Sequence, residues 1–138
     1  MEVLIGDVWL AFEAEDRPVL LHGVSYNLPA VGGFARTVVD RVGQKAARAH
    51  YETPPGHCYE VVQNLLAGVT QRSYGAAEAA LIKSVVHVAV AYAETRNTRL
   101  VMPLIGAGLG GLSEEESLGA IRRGAEGSPV RVEVYKLP

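Results

Sequence analysis

Gly106, Gly108, Gly110 and Gly111 crowd into six positions of the stretch "MPLIGAGLGGLSEEE", residues 102–116. One or two glycines suffice for a tight turn from strand to helix. Four so close together also suit a backbone that must approach a ligand, with its N–H groups turned toward phosphate oxygens. The acids that follow refine this. Glu114 and Glu115 open a helix, where they complement its dipole, and their charge would repel an anion docked on that helix end. A phosphate is therefore expected on loop N–H groups between Ile105 and Gly110. A second stretch, "AVGGFAR", sets Gly32 and Gly33 at a helix start, with Arg36 in the first turn and no acid before Asp40. That helix end is free to attract an anion. Two such loops at one sheet edge would suit a pyrophosphate gripped from both sides.

The side chains with proton chemistry near the first loop are His22, Ser25 and Asn27. His22 ends an apolar run. Its imidazole either faces a ligand as general acid or base or is hydrogen-bonded inside the sheet. Asn27 either holds a sugar hydroxyl or shapes the turn. His87 reads as structural, His50 and His57 as solvated beside a proline-rich turn. Trp9 reads as a core anchor, whereas Tyr26 and Phe34 are the aromatic candidates for a cleft. Cys58 has no evident activating partner.

The elements that must carry these residues follow from periodicity. "EVLIG" and "VWLAFEA" read as two short strands or one bent strand. "VLLHGVS" is a buried strand. "FARTVVDRVGQKAARAHY" has helical spacing at Val38, Val39, Val42, Ala46 and Ala49, weakened by Gly43. "HCYEVVQNLL" is a strand, "AGVTQR" a loop, and Ser73 the N-cap of a long helix from Tyr74, with Leu81, Val85, Val88 and Tyr92 on one face. "TRLVMPLI" is a buried strand. Ser113 and Glu116 form a capping box for "EEESLGAIRRGA", and "PVRVEVYKL" is a half-exposed last strand. Alternating strands and helices predict an α/β domain with a mainly parallel sheet, whose ligand sits at the strand ends.

Composition narrows the function classes. With 138 residues, 49% of them hydrophobic, the chain reads as one folded domain, 1–138. A formal net charge of −2 speaks against a basic nucleic-acid surface. A single cysteine excludes an internal disulfide and a cysteine-rich zinc site, and fits a reducing compartment such as the cytoplasm. No apolar run reaches membrane-spanning length. Gly106-x-Gly108-x-x-Gly111 matches a dinucleotide fingerprint, but such a unit continues for several strands, and one strand follows here. The loop also lacks the Gly-Lys-Ser/Thr ending of a Walker A motif. No cofactor or metal is expected.

Taken together, "GDVW", "LLHGVSYNLPAVGGFA", "MPLIGAGLGGLS" and "VRVEVYKL" resemble, in order and spacing, the macro domain, a fold that binds ADP-ribose. The similar branch holds small phage and bacterial domains related to ADP-ribose-1″-phosphate phosphatases and to the terminal ADP-ribose protein glycohydrolase. The resemblance implies a three-layer α/β/α fold with a mixed, mainly parallel sheet. It implies that Asp7 accepts a hydrogen bond from the adenine amino group, with Val8 beside it. Gly32, Gly33, Phe34 and Ala35 would flank the pyrophosphate from one loop. Ile105, Gly106, Ala107, Gly108, Leu109 and Gly110 would form the other, with Gly108 and Leu109 close to the distal ribose. Ser25 stands where many macro domains have Asn near that ribose, and His22 is similar to the histidine of the phosphatase branch. The glycohydrolase branch uses a Lys nucleophile after the middle strand and an Asp in the second loop. An ungapped alignment puts Asn64 and Gly110 there, so a Lys-based mechanism is not expected. The resemblance implies ADP-ribose binding, with hydrolysis of ADP-ribose 1″-phosphate or release of terminal ADP-ribose as the enzymatic reading. The alternative is a non-catalytic reader of ADP-ribose or a related nucleotide that lacks the Lys/Asp pair, and the partners implied are that nucleotide ligand and ADP-ribosylated protein.

Overall fold

The computed structural model describes residues 1–29, 33–73, 75–107 and 110–137. In chain order these form β1 (Glu2–Ile5), α1 (Val8–Phe12), β2 (Val19–Ser25), α2 (Gly33–Val42), α3 (Ala47–Glu52), β3 (Cys58–Val62), β4 (Leu65–Gln71), α4 (Ala79–Thr95), β5 (Leu100–Pro103), α5 (Glu114–Ala125) and β6 (Val132–Lys136). The strands make one sheet in the order β1-β6-β5-β2-β4-β3. All neighbours are parallel except β3 and β4, which pair antiparallel at one edge. The α/β expectation with a mixed, mainly parallel sheet is met.

Period-two alternation along the strands builds three layers. Val19 and Leu21 of β2, Leu100 and Met102 of β5 and Val132 and Val134 of β6 face α4 and α5. Leu20, Leu65 and Val101 face the other way, onto Val8 and Trp9 of α1 and Val38 of α2. Trp9 is a core anchor, as expected, 8% exposed.

Four local expectations are overturned. Residues 8–12 are helical, not strand. Asp7 caps them, its Oδ1 accepting the Trp9 N–H at 2.9 Å, and burial of Val8 and Trp9 outweighs their β propensity. The helix expected across 34–51 is broken into α2 and α3, with Gly43 and Ala46 in left-handed conformations. "AGVTQR" is not a loop. All of it but Arg72 belongs to β4, an interior strand buried from Leu65 through Thr70. Ala67 and Gly68 look loop-like, but Gly68 is where α4 comes closest: a Cβ there would lie 2.7 Å from Val85 Cβ. Finally, Ser73 does not cap α4, which starts at Ala79 after Glu78. The Ser73 hydroxyl instead donates to the Tyr26 carbonyl at 2.6 Å. Because α4 lies between the sheet and α5, its buried stripe is wider than expected and includes Ile82, Val86, Ala89 and Ala93, while Val88 is exposed. The capping box of Ser113 and Glu116 is present. No helix among the described residues is long and apolar enough to cross a membrane.

Candidate functional site

Parallel strands leave their unpaired ends, and the loops that follow them, on one edge of the sheet. A cleft of about 650 Å³ opens there. Its floor is the end of β2 against the ends of β4 and β5. Gly23 is required at that floor, since a Cβ would lie 2.9 Å from Thr70 Oγ1 and 3.0 Å from Ile105 Cγ2. One wall is the segment between β2 and α2, the other the segment after β5.

The second wall is tied down along its length. The buried Ser117 hydroxyl donates to the Ile105 carbonyl. Leu112 N–H donates to Gly106 O at 3.0 Å and Ala77 N–H to Gly110 O at 2.8 Å. Gly106 has φ +85°, and a Cβ on it would approach Ile82 Cδ1 to 2.6 Å and Leu112 Cδ1 to 3.1 Å. Gly106→Ala should cost about 1–2 kcal/mol through the left-handed backbone, and it should displace this wall. Urea unfolding checks the first effect, and backbone amide chemical shifts of residues 104–112 check the second. Unchanged shifts would count against the loop's dependence on glycine.

The first wall is held by other means. Tyr26 N–H donates to Gln71 O at 2.8 Å. His50 bonds the Leu28 carbonyl through Nε2, and its Nδ1 lies 2.7 Å from the Tyr59 hydroxyl. Phe34 stacks on Trp9, centroids 5.4 Å apart. The first turn of α2 carries no acid, and Arg36 there pairs with Asp40 at 3.0 Å. The acids of α5 lie in its own first turn, and Glu114 pairs with Lys136 at 2.6 Å.

Ser25, Gly33, Phe34, Ala35, Ile105, Gly106, Ala107 and Gly110 all line the cleft. Gly32, Gly108 and Leu109 lie outside the described residues. Asp7 is exposed at the same sheet edge, beyond the end of β1, and is not among the residues lining the cleft. Three expected placements need correction. Val8 is turned into the core with Leu20 and Val101, so its side chain is not beside the cleft. Asn27, at φ +54° and exposed, shapes the turn and is not among the residues lining the cleft. His22 points into the α2 layer, because alternation along β2 turns it away from the side of Leu21. It is 2% exposed and borders a small cavity of about 40 Å³ between α2, α3 and β3, which shares Val24, Ala35 and His50 with the lining of the cleft. Among the described residues neither ring nitrogen has a hydrogen-bond partner. Burial pulls its pKa from the ordinary 6.5 down to about 4, with the nearby Gly23 backbone opposing. The imidazole is thus neutral at pH 7 and is not among the residues lining the cleft.

Asn64 also moves. It occupies the turn between β3 and β4, at the far end of the sheet, donating its Nδ2 to Arg17 O at 3.0 Å. The residue ending β4 at the cleft is Gln71. Its Oε1 accepts from the Ser25 hydroxyl at 3.2 Å, and its Nε2 donates to Gly75 O at 3.1 Å. Reading β4 as a loop hid Gln71 and Thr70 from the sequence analysis. His50, expected to be solvated, is 8% exposed and also lines the cleft. The tertiary pairing with Leu28 and Tyr59 has no local signal. His57 and His87 are exposed. Cys58 donates to Val85 O at 3.5 Å, and burial pushes its thiol up to about 12, so it stays protonated. Among the described residues no cluster of His, Cys, Asp or Glu could hold a metal.

A six-stranded mixed sheet between helical layers, with two loops facing each other across the strand ends, is the macro domain fold. Solved structures bear this out. The macrodomain of Mycobacterium tuberculosis DarG is 17% identical, with TM-score 0.73 over 96% of each chain. Thermosipho africanus DarTG, solved in complex with ADP-ribose, is 21% identical with TM-score 0.75; the match covers 99% of this chain and 41% of that one. A Bacteroides thetaiotaomicron protein of unknown function is 18% identical with TM-score 0.76, over 99% of this chain and 98% of that one. No family model and no curated protein sequence matches the chain.

Proposed function

We propose that the cleft binds ADP-ribose or a close derivative, and that the protein is a reader of that group. The observation that carries this is the pair of glycine-bearing walls facing each other over the ends of β2 and β5. They offer backbone N–H groups to a pyrophosphate without an acid in the first turn of α2. Along the sheet, β1 and β4 are four strand spacings apart, about 19 Å. That separation suits a ligand with a base at one end and a sugar at the other. In this reading the adenine lies toward Asp7, the pyrophosphate between Gly33–Ala35 and Ile105–Gly110, and the distal ribose toward Ser25 and Gln71. The ADP-ribose in the Thermosipho structure, which shares this fold, supports the choice of ligand.

Reading is favoured over hydrolysis by two side chains. His22 borders the cavity under α2, and the end of β4 carries an amide whose two polar atoms are already bonded. Neither is an activated base or nucleophile at the ligand. Calorimetry with ADP-ribose tests binding, and no heat at millimolar ligand rejects it. Phosphate release from ADP-ribose 1″-phosphate tests the second part, and clear turnover would replace the reader with a hydrolase. The adenine contact has its own test. Asp7→Ala should weaken ADP-ribose binding about tenfold and destabilise the fold by about 1 kcal/mol through loss of the N-cap. Asp7→Ser retains a cap and should lose only the affinity. Full affinity in Asp7→Ser would remove Asp7 from the site.

A further inference from the structure

We infer that His50 is a positioning residue for the ligand cleft, fixing the first wall through the Leu28 carbonyl. For its effect on ligand affinity the inference rests on the reading above, while its effect on the loop stands independently. Between β2 and α2 the chain leaves the sheet, and its backbone groups must find partners elsewhere. Tyr26 finds both of its own at the end of β4, through Gln71 O and the Ser73 hydroxyl. Two residues on, Leu28 depends on His50, 22 positions away in α3. Leu28 and Pro29 line the cleft, and so does His50.

The hydrogen bonds assign the tautomer. A carbonyl oxygen only accepts, so His50 Nε2 carries a proton and donates to Leu28 O. In the neutral ring Nδ1 then accepts, and the Tyr59 hydroxyl donates to it. Burial raises the Tyr59 pKa, which preserves that hydroxyl as a donor. The ring is also held edge-on by Tyr51 at 5.0 Å. Both nitrogens are thus engaged between α3, the edge strand β3 and the loop. A side chain so fixed sets the loop's position before any ligand arrives, which is the usual structural basis of preorganisation.

Three measurements test this on the full chain. Nitrogen-15 NMR of the wild-type histidines, without ligand, should show His50 in a single tautomer protonated at Nε2. A proton on Nδ1 alone would overturn the inference, whatever the ligand. In His50→Ala the amide resonances of residues 26–29 and 33–35 should shift and exchange faster, and the Kd for ADP-ribose should rise about tenfold. His50→Gln, whose amide can still donate toward Leu28 O, should restore both, to within about threefold of wild type for the Kd. Wild-type loop resonances in His50→Ala, or no recovery of them in His50→Gln, would overturn it. If the wild type binds no ADP-ribose, the functional reading fails. The tautomer and the loop resonances still decide the role of His50.

Discussion

Replacing His22 with leucine should remove a step in acid stability of about 3 kcal/mol while leaving ADP-ribose affinity within twofold of wild type. Burial lowers the pKa of this imidazole from 6.5 to about 4, so the folded state binds fewer protons than the unfolded chain between those values. For a base depressed in this way, the contribution is fully present above about pH 6.5. It declines as pH falls and is exhausted below about pH 4. The size follows from about 1.4 kcal/mol per tenfold change in proton affinity. Neither ring nitrogen has a hydrogen-bond partner among the described residues, so exchanging the ring for an apolar side chain at pH 7.5 should change stability by less than about 1 kcal/mol. Urea unfolding at pH 7.5, 5.5 and 4.5 on both proteins isolates the step as a difference. Asp16 does not blur it. Arg99, donating to its carboxylate, holds that pKa below the ordinary 3.8, so its contribution is lost only at lower pH. An unchanged acid step in His22→Leu would mean the imidazole is hydrated or paired. A lost ligand affinity would return His22 to the cleft.

Gly124→Ala should destabilise the protein by about 2–4 kcal/mol, although alanine is the better helix former by about 1 kcal/mol. Gly124 lies in α5 where it crosses α4. A Cβ there would sit 2.6 Å from the Lys83 carbonyl oxygen and 2.7 Å from Val86 Cβ. The oxygen is backbone and cannot rotate away, so the helices must part. The consequence reaches the cleft, because Ser117 of the same helix donates to the Ile105 carbonyl in the second wall. Thermal unfolding should drop by roughly 10 °C, with weaker ADP-ribose binding in the fraction that remains folded. Equal or higher stability would show that α4 and α5 have room to separate.

The loops of the candidate site were legible because their glycines, the capping box at Ser113 and the acid-free start of α2 are local signals. Each acts through the backbone of its own few residues. The α/β class was legible for a related reason: buried strands and amphipathic helices impose their own periods. What was misread shares the opposite property. Val8–Phe12 has strand composition, and becomes helix because Asp7 caps it and because Trp9 is wanted under the sheet. β4 has loop composition at Ala67-Gly68, and becomes a buried interior strand because α4 needs a bare backbone at Gly68. Taking residues 67–72 for a loop hid Gln71, while the ungapped alignment put Asn64 at the site.

The sequence by itself determined the two glycine walls and the sheet edge on which they meet, since turns, caps and periodicity are properties of contiguous residues. Only the tertiary structure decided which side chains face the cleft. His22 was turned away by the parity of β2. His50 was brought in from a helix 22 residues downstream of Leu28 to hold the loop. Those outcomes depend on strand register and on burial between layers, and no short stretch of the chain encodes either.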